Sequence, residues 1–382
     1  MTRALLDWRG EFPILAKKTY LINNSLGAMP RTVPAALTEY TDRWADEGVV
    51  AWDTWLPAVA EVATILEDIV AAPRGSMTMA QNVTNALATI LSCLEYEQPR
   101  TAIVHAAAEF PTVEYLVDGQ RRYGATIRRV GRDPLVYPHR EILEAIDERT
   151  LLVVVSHVAY RTAELVDVAP IVEKAHENGA LVVLDAYQSM GAVPFDVRAL
   201  GVDFLVGGSV KWLCGGPGAG YLYVDPAITE HLSPTMAGWF SHARPFAFEP
   251  PPVDFAPGIA RFTGGTPNVP AYYQAREGYR ITREVGVPRI REKALHQTEL
   301  LMDRARSAGL TIRTPAEANR RGNHLTVDFP GADRVKDELI RRGFVVDHRP
   351  GAGIRIAPHF YNTDEECEEV MREIRRIRES AN

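Results

Sequence analysis

The chain has 382 residues, 46% of them hydrophobic and 24% charged, with a formal net charge of -7 at pH 7. That length leaves room for one large domain, a smaller one and a sizeable core, and the composition is that of an ordinary globular protein rather than a disordered or fibrous one. An acidic balance argues against a sequence-blind nucleic-acid binder, which needs a basic face.

The N-terminal stretch MTRALLDWRGEFPILAKK has no apolar core long enough for a signal peptide. No window reads as the ~18 uncharged apolar residues of a membrane helix. Cys93, Cys214 and Cys367 stand singly, without CxxC spacing, which fits a reducing cytoplasm better than a disulfide framework. The chain is therefore expected to be soluble and cytoplasmic, with no membrane or nucleic-acid partner.

From residue 102 onward, short β-branched runs alternate with helical stretches. Expected strands are AIVHA (102–106), TIRRV (126–130), LLVVVS (151–156), LVVLD (181–185), DFLVG (203–207) and AGYLYV (219–224). Several are apolar without alternation, as in strands covered on both faces. Between them lie helical patterns such as DVAPIVEKAHENGA, with Pro170 early and Gly179 late. This rhythm predicts an α/β fold with a mostly parallel central sheet between helices. A Pro/Gly-rich patch (246–270) interrupts it. A long helical pattern follows over roughly 271–309, then an α+β tail with NHLTVDF, DRVKDELIRRG, GIRIAP and a final charged helix. The expected division is a large domain over 21–269 and a small α+β domain from 1–20 together with 270–382.

Two residues carry the chemistry. Asp185 ends the apolar run LVVL, and Lys211 follows DFLVGG by a few residues. Functional groups in open α/β sheets gather at the carboxyl ends of strands, so adjacent strands would bring both side chains into one crevice. Alone, Asp185 reads equally well as a helix N-cap, and Lys211 as a solvated loop lysine. The glycines of GGPGAG lead into a strand rather than opening a helix, so they are no dinucleotide fingerprint, and they lack the Walker ending. Taken together, a lysine amine in a crevice can condense with a carbonyl cofactor, and a carboxylate can hold a proton on that cofactor's pyridine nitrogen. These are the two parts pyridoxal 5'-phosphate (PLP) needs.

At these residues the chain resembles the fold-type-I PLP enzymes of aminotransferase class V, and within them the kynureninases. The resemblance rests on YLINNSLGAMP (20–30), SHVAYRTAELVDV (156–168), DAYQSMGAVPFDV (185–197), DFLVGGSVKWLCGGPGAGYLYV (203–224), AGWFSH (237–242), RFTGGTP (261–267) and IRIAPHFYNTDEE (354–366), and it spans nearly the whole chain. It implies that Lys211 carries the cofactor and that Asp185 pairs with its pyridine nitrogen. Phe110 would stack on the ring, and Gln188 would donate to the phenolic oxygen. Val83 and Thr84 would open a helix whose N–H groups bind the phosphate, Ser209 would add a hydroxyl there, and Trp239 and Thr266 would lie near it, Thr266 reaching across from a partner subunit. Arg355 would pair with the substrate's α-carboxylate, with Asn24 and Ser25 beside the substrate. The implied assembly is a homodimer with shared sites, and the implied reaction is a kynureninase-like hydrolysis of a Cβ–Cγ bond that releases alanine. No metal is implied. Three positions depart from the kynureninase pattern: Gln188 stands for His, Val210 for Tyr and Val113 for Asp. They leave open another class V reaction: transamination, epimerisation or C–S lysis. Desulfuration is disfavoured, because no cysteine lies between Cys214 and Cys367 to serve as a mobile nucleophile. A PLP-fold protein without catalysis is disfavoured by the intact Lys211, Asp185 and Arg355.

Overall fold

The computed structural model describes residues 3–380. Its centre is a seven-stranded sheet in the order Met77–Ala80, Gly220–Val224, Phe204–Gly208, Leu181–Asp185, Thr150–Ser156, Ala102–Ala106, Thr126–Val130. Gly220–Val224 runs antiparallel to both its neighbours, and the other pairings are parallel. The six expected strands are present, two of them differing by one residue at their start and DFLVG displaced by one residue to Phe204–Gly208. The strand at the far edge, Met77–Ala80, was not anticipated: MTMA is four residues long and holds no Val, Ile or aromatic residue. Ala102–Ala106, Phe204–Gly208 and Gly220–Val224 are buried throughout, which explains why they lack polar alternation, His105 apart.

The long helical pattern after residue 270 forms two helices, Val269–Val285 and Val287–Ser307. Gly286, at φ 85°, ends the first, and Pro288 sits in the first turn of the second. The first helix packs Tyr272, Ala275 and Tyr279 into the core of the large sheet. By packing, therefore, it joins the large sheet, although the sequence division at 269 groups it with the tail.

The tail builds a four-stranded antiparallel sheet in the order Asp347–Arg349, Gly353–Ile356, Leu325–Asp328, Thr311–Ile312. A separate apolar cluster covers it, with Leu301, Leu339 and Ile374 from its helices and Leu21 from the N-terminal segment. Thr19–Tyr20 pairs in parallel with Phe344–Val345, and Ile22 bridges to Ala357.

The helical stretch Val33–Val70 contains an 18-residue window of mean hydropathy 1.4, long and apolar enough to cross a membrane by length and composition alone, although Asp53 and Glu61 interrupt its apolar residues. In the fold the stretch is two helices, Val33–Glu47 and Trp52–Val70, joined by the turn Gly48–Ala51, and a third of that window is buried. Trp55, Val62, Ile65, Leu66 and Val70 of helix Trp52–Val70 are buried, and that helix packs along Val269–Val285.

Candidate active site

The parallel register places Asp185 beside Val206 on one side and Ser156 on the other. Asp185 and Ser156 lie at the carboxyl ends of their strands. Lys211 comes three residues after Phe204–Gly208 ends, so its amine returns over the same edge. A cavity of about 240 Å³ opens there, lined by Val83, Phe110, Thr112, Ser156, Val158, Tyr160, Asp185, Tyr187, Gln188 and Lys211.

The Lys211 Nζ lies 4.2 Å from the centroid of the Tyr187 ring and 5.7 Å from that of Phe110. Burial, followed by the nearby positive charge of Arg355, pushes the Lys211 amine down from 10.5 to about 7; Asp185 opposes the shift. Burial pushes the Asp185 carboxyl up, against a hydrogen bond from the Tyr187 N–H at 2.8 Å and the charge of Lys211. A buried amine that is neutral near pH 7 is a nucleophile and a base, whereas a solvated lysine is neither. Capture of an aldehyde by the apoprotein should therefore speed up with pH through about 7 and stay level above it. A stopped-flow series that kept rising toward pH 10.5 would show a solvated amine instead.

The strand glycines have a packing reason. A Cβ on Gly208 would sit 2.6 Å from the Tyr187 hydroxyl oxygen and 2.7 Å from Cζ. Tyr187 thus packs against the strand at Gly208, with the lysine amine over its ring. Gly208→Ala should lower stability by about 1–3 kcal/mol, as overpacking does, and weaken cofactor retention by displacing the ring. A denaturant melt and a dialysis assay would read the two effects.

The residues present fit PLP. The cavity supplies an amine and, on the adjacent strand end, a buried carboxylate. Phe110, 40% exposed, offers a ring edge-on to Tyr160 at 5.1 Å. Val83 opens helix Val83–Leu91 at the cavity wall. Asn82 caps this helix by accepting from the Asn85 N–H at 3.0 Å, and the N–H groups of Val83 and Thr84 have no acceptor within the helix. Such a terminus suits a phosphate. When bound, PLP supplies an electron sink for a carbanion at the amino acid's α-carbon.

Of the other expected residues, only some reach the cavity. Gln188 reaches the cavity wall, where its Nε2 donates to the Asn24 carbonyl at 2.9 Å and its Oε1 accepts from Trp212 Nε1 at 3.0 Å. Ser209 does not line the cavity: it is buried, and its hydroxyl is committed to the Ala219 carbonyl at 2.6 Å and to the Tyr279 hydroxyl. Thr84 is exposed and also outside the lining. Trp239 and Thr266 bond to each other at 3.3 Å and lie apart from Lys211. Thr266 borders a second depression shared with Gln81 and Asn85. Ser25 is half-buried and not in the lining, whereas the Asn24 side chain is fully buried with both its polar atoms unpaired.

Arg355 is 1% exposed. Its Nε donates to Asp347 Oδ1 at 2.8 Å, its Nη2 to Asp347 Oδ2, and its Nη1 to the Tyr160 carbonyl at 2.6 Å. A guanidinium has five N–H donors, so one remains on each Nη after these three bonds. Arg349 also reaches Asp347, at 3.0 Å, and Arg161 lies over the Tyr160 ring at 4.5 Å with a buried, unpaired Nη1. Two guanidinium groups therefore share one carboxylate, and a third lies on the cavity-lining Tyr160, a surplus of positive charge suited to an anion.

Asp347 was not anticipated. The turn PGAG between Asp347 and Arg355 is a hairpin signal that could have revealed the pair. Glu109 was also missed. It is wholly buried and accepts from the Ser156 hydroxyl, the Ser156 N–H at 3.1 Å and the Tyr137 hydroxyl at 2.9 Å. Burial pushes its carboxyl up to about 7.

A buried lysine and aspartate on neighbouring strand ends, beside a helix N-terminus, define an enzyme that works through a carbonyl cofactor. The aminotransferase class-V family profile matches residues 20–369. A kynureninase from Pseudomonas fluorescens is 30% identical over 362 residues, covering 91% of this chain and 85% of that protein. One from Burkholderia pseudomallei is 29% identical over 361 residues, covering 90% and 85%. The apo cysteine desulfurase of Thermococcus onnurineus NA1 superposes with a TM-score of 0.86 at 20% identity, covering 99% of this chain and 98% of that one. The cystine C–S lyase C-DES, solved with its product cysteine persulfide, gives 0.84 at 22% identity, covering 95% and 99%. The chain belongs to the aminotransferase class-V family, and its cofactor is PLP.

Proposed function

We propose that the chain is a PLP-dependent hydrolase that adds water across the Cβ–Cγ bond of a γ-keto amino acid, releasing alanine and a carboxylic acid, as kynureninases do. The observation that carries the reading is a cavity that gathers a buried amine and a buried carboxylate, with a guanidinium that has two N–H groups to spare close enough for its charge to act on that amine, in a chain 30% identical to a kynureninase over nine-tenths of its length. In this reading Lys211 is the base within reach of the α-hydrogen. Asp185 would hold the proton on the pyridine nitrogen of PLP, Phe110 would pack on its ring, and Arg355 would hold the α-carboxylate.

The cysteines support it over desulfuration. None of the three lines the cavity. Burial pushes the Cys93 and Cys214 thiols up to about 12 and raises that of Cys367 as well, so none is a ready nucleophile. Another class V reaction is favoured by Gln188, which stands where kynureninases carry His.

The test is an amino-acid panel with products identified by mass spectrometry. Alanine with an aromatic acid from kynurenine supports the hydrolase. Glutamate formed from 2-oxoglutarate indicates a transaminase, and release of sulfide a C–S lyase. Asp185→Asn should slow α-proton exchange by roughly 10²–10⁴-fold while amino-acid affinity stays within a few-fold; NMR in deuterated water reads the first and spectral titration the second.

A homodimer is part of the proposal. Phe246 and Phe248 are 60% and 75% exposed and pack against Trp239, forming an apolar patch beside the GGTP segment. Dilution should then lower activity before the chain unfolds, and sedimentation showing a fully active monomer would count against it.

A further inference from the structure

His324 is 0% exposed, and both its ring nitrogens lack a hydrogen-bond partner. A buried imidazole normally uses at least one of them, because an unpaired buried polar group costs more than a bond gains. Its place in the fold shows where those atoms point. His324 immediately precedes strand Leu325–Asp328, in which Thr326 pairs with Arg355 and Leu325 with Ile356. Directly paired side chains share a face, and residues two apart share it as well. His324, Thr326 and Arg355 therefore project together. The Thr326 hydroxyl bonds the Arg161 carbonyl at 2.7 Å and Arg355 bonds that of Tyr160, so this face is turned toward the segment that walls the cavity. On its other side, Ala357 is bridged to Ile22 and accepts from the Asn23 side chain at 2.8 Å, next to Asn24, whose side-chain amide is equally buried and unpaired. The positive charges of Arg355, Lys211 and Arg349, after burial, hold the imidazole well below its ordinary value and keep it neutral. A neutral imidazole carries one N–H donor.

We infer that His324 is a substrate-binding residue whose imidazole N–H donates to the α-carboxylate anchored by Arg355. Orphaned polar atoms in a packed interior call for a ligand with matching chemistry. The ligand the surrounding cations favour is a carboxylate bridging the distance between Arg355 and the lysine amine. This rests on the amino-acid reading above.

The experiment uses the holoenzyme with two probes, L-alanine and ethylamine, which share an amine and a two-carbon skeleton but differ in the carboxylate. Binding is read from the cofactor's absorbance. His324→Leu should weaken alanine by about 10- to 100-fold, the loss expected for a hydrogen bond to a charged group, and leave ethylamine within two-fold. His324→Gln, which keeps a donor, should recover most of the alanine affinity. Equal losses for both probes, or none for alanine, overturn the inference. Wild type that responds to ethylamine and to no amino acid overturns the amino-acid reading itself. Because His324→Leu can fail to fold, the same contact is read on wild type by deuterium exchange at the imidazole C2–H. Alanine should slow exchange at His324 where ethylamine does not, and an unchanged rate with alanine overturns the inference.

Discussion

Lys211→Ala is expected to abolish covalent retention of PLP and to lower turnover by roughly 10²–10⁴-fold or more, the range lost with a positioned acid–base group. Borohydride should fix a pyridoxyl label on the wild-type peptide containing Lys211 and on none in the variant. The reason is geometric as well as chemical. Lys211 is the cavity's lone lysine, and burial beside Arg355 makes its amine neutral at a pH where a solvated lysine is protonated. An added external amine should restore part of the turnover, since it replaces the base and not the site. A label on another lysine after mild reduction would sink the assignment.

Arg355→Ala should leave cofactor binding intact and weaken amino acids by about 30- to 4,000-fold, since truncating one partner of a buried charged pair costs about 2–5 kcal/mol. Arg355→Lys should recover little. An ammonium cannot both hold Asp347 through two parallel bonds and present N–H groups to a second carboxylate. The pairing with Asp347 adds a control. Asp347→Asn keeps the shape but loosens the fork, so KM should rise with a smaller change in kcat, whereas a purely structural role would move the melting temperature alone. If Arg355→Ala bound amino acids as well as wild type, the anchor would pass to Arg349 or Arg161, both near Tyr160. Arg261 is ruled out for that role, being committed to Glu230 and to the Leu232 and Ala256 carbonyls.

Much of the architecture follows from local pattern. Runs such as LVVLD and DFLVG are apolar on both faces, which only strands between two helical layers need, and the lysine and aspartate stand at the strand ends where such sheets place their chemistry. The NSLG, lysine-loop and C-terminal motifs carried the cofactor and the family. Tertiary structure decided what depends on contacts between distant segments. The edge strand Met77–Ala80 exists because Gly220–Val224 offers it a partner, and no local signal in MTMA requires it. The break at Gly286 turns one helical pattern into two helices with different cores, because a positive φ followed by a proline redirects the chain. Ser209, close to the lysine in sequence, sits in the turn after the strand and spends its hydroxyl on Ala219 and Tyr279. Arg355 and Asp347 meet through a hairpin, and Lys211, Tyr187 and Gly208 stack through the sheet. His324 lies 113 residues after Lys211 and reaches its neighbourhood only through the register of the small sheet. The sequence by itself determined which residue types the chemistry would use and the strand ends that hold them. The tertiary structure decided which of them keep hydrogen-bonding capacity for a ligand, because that capacity is whatever the rest of the fold leaves unpaired.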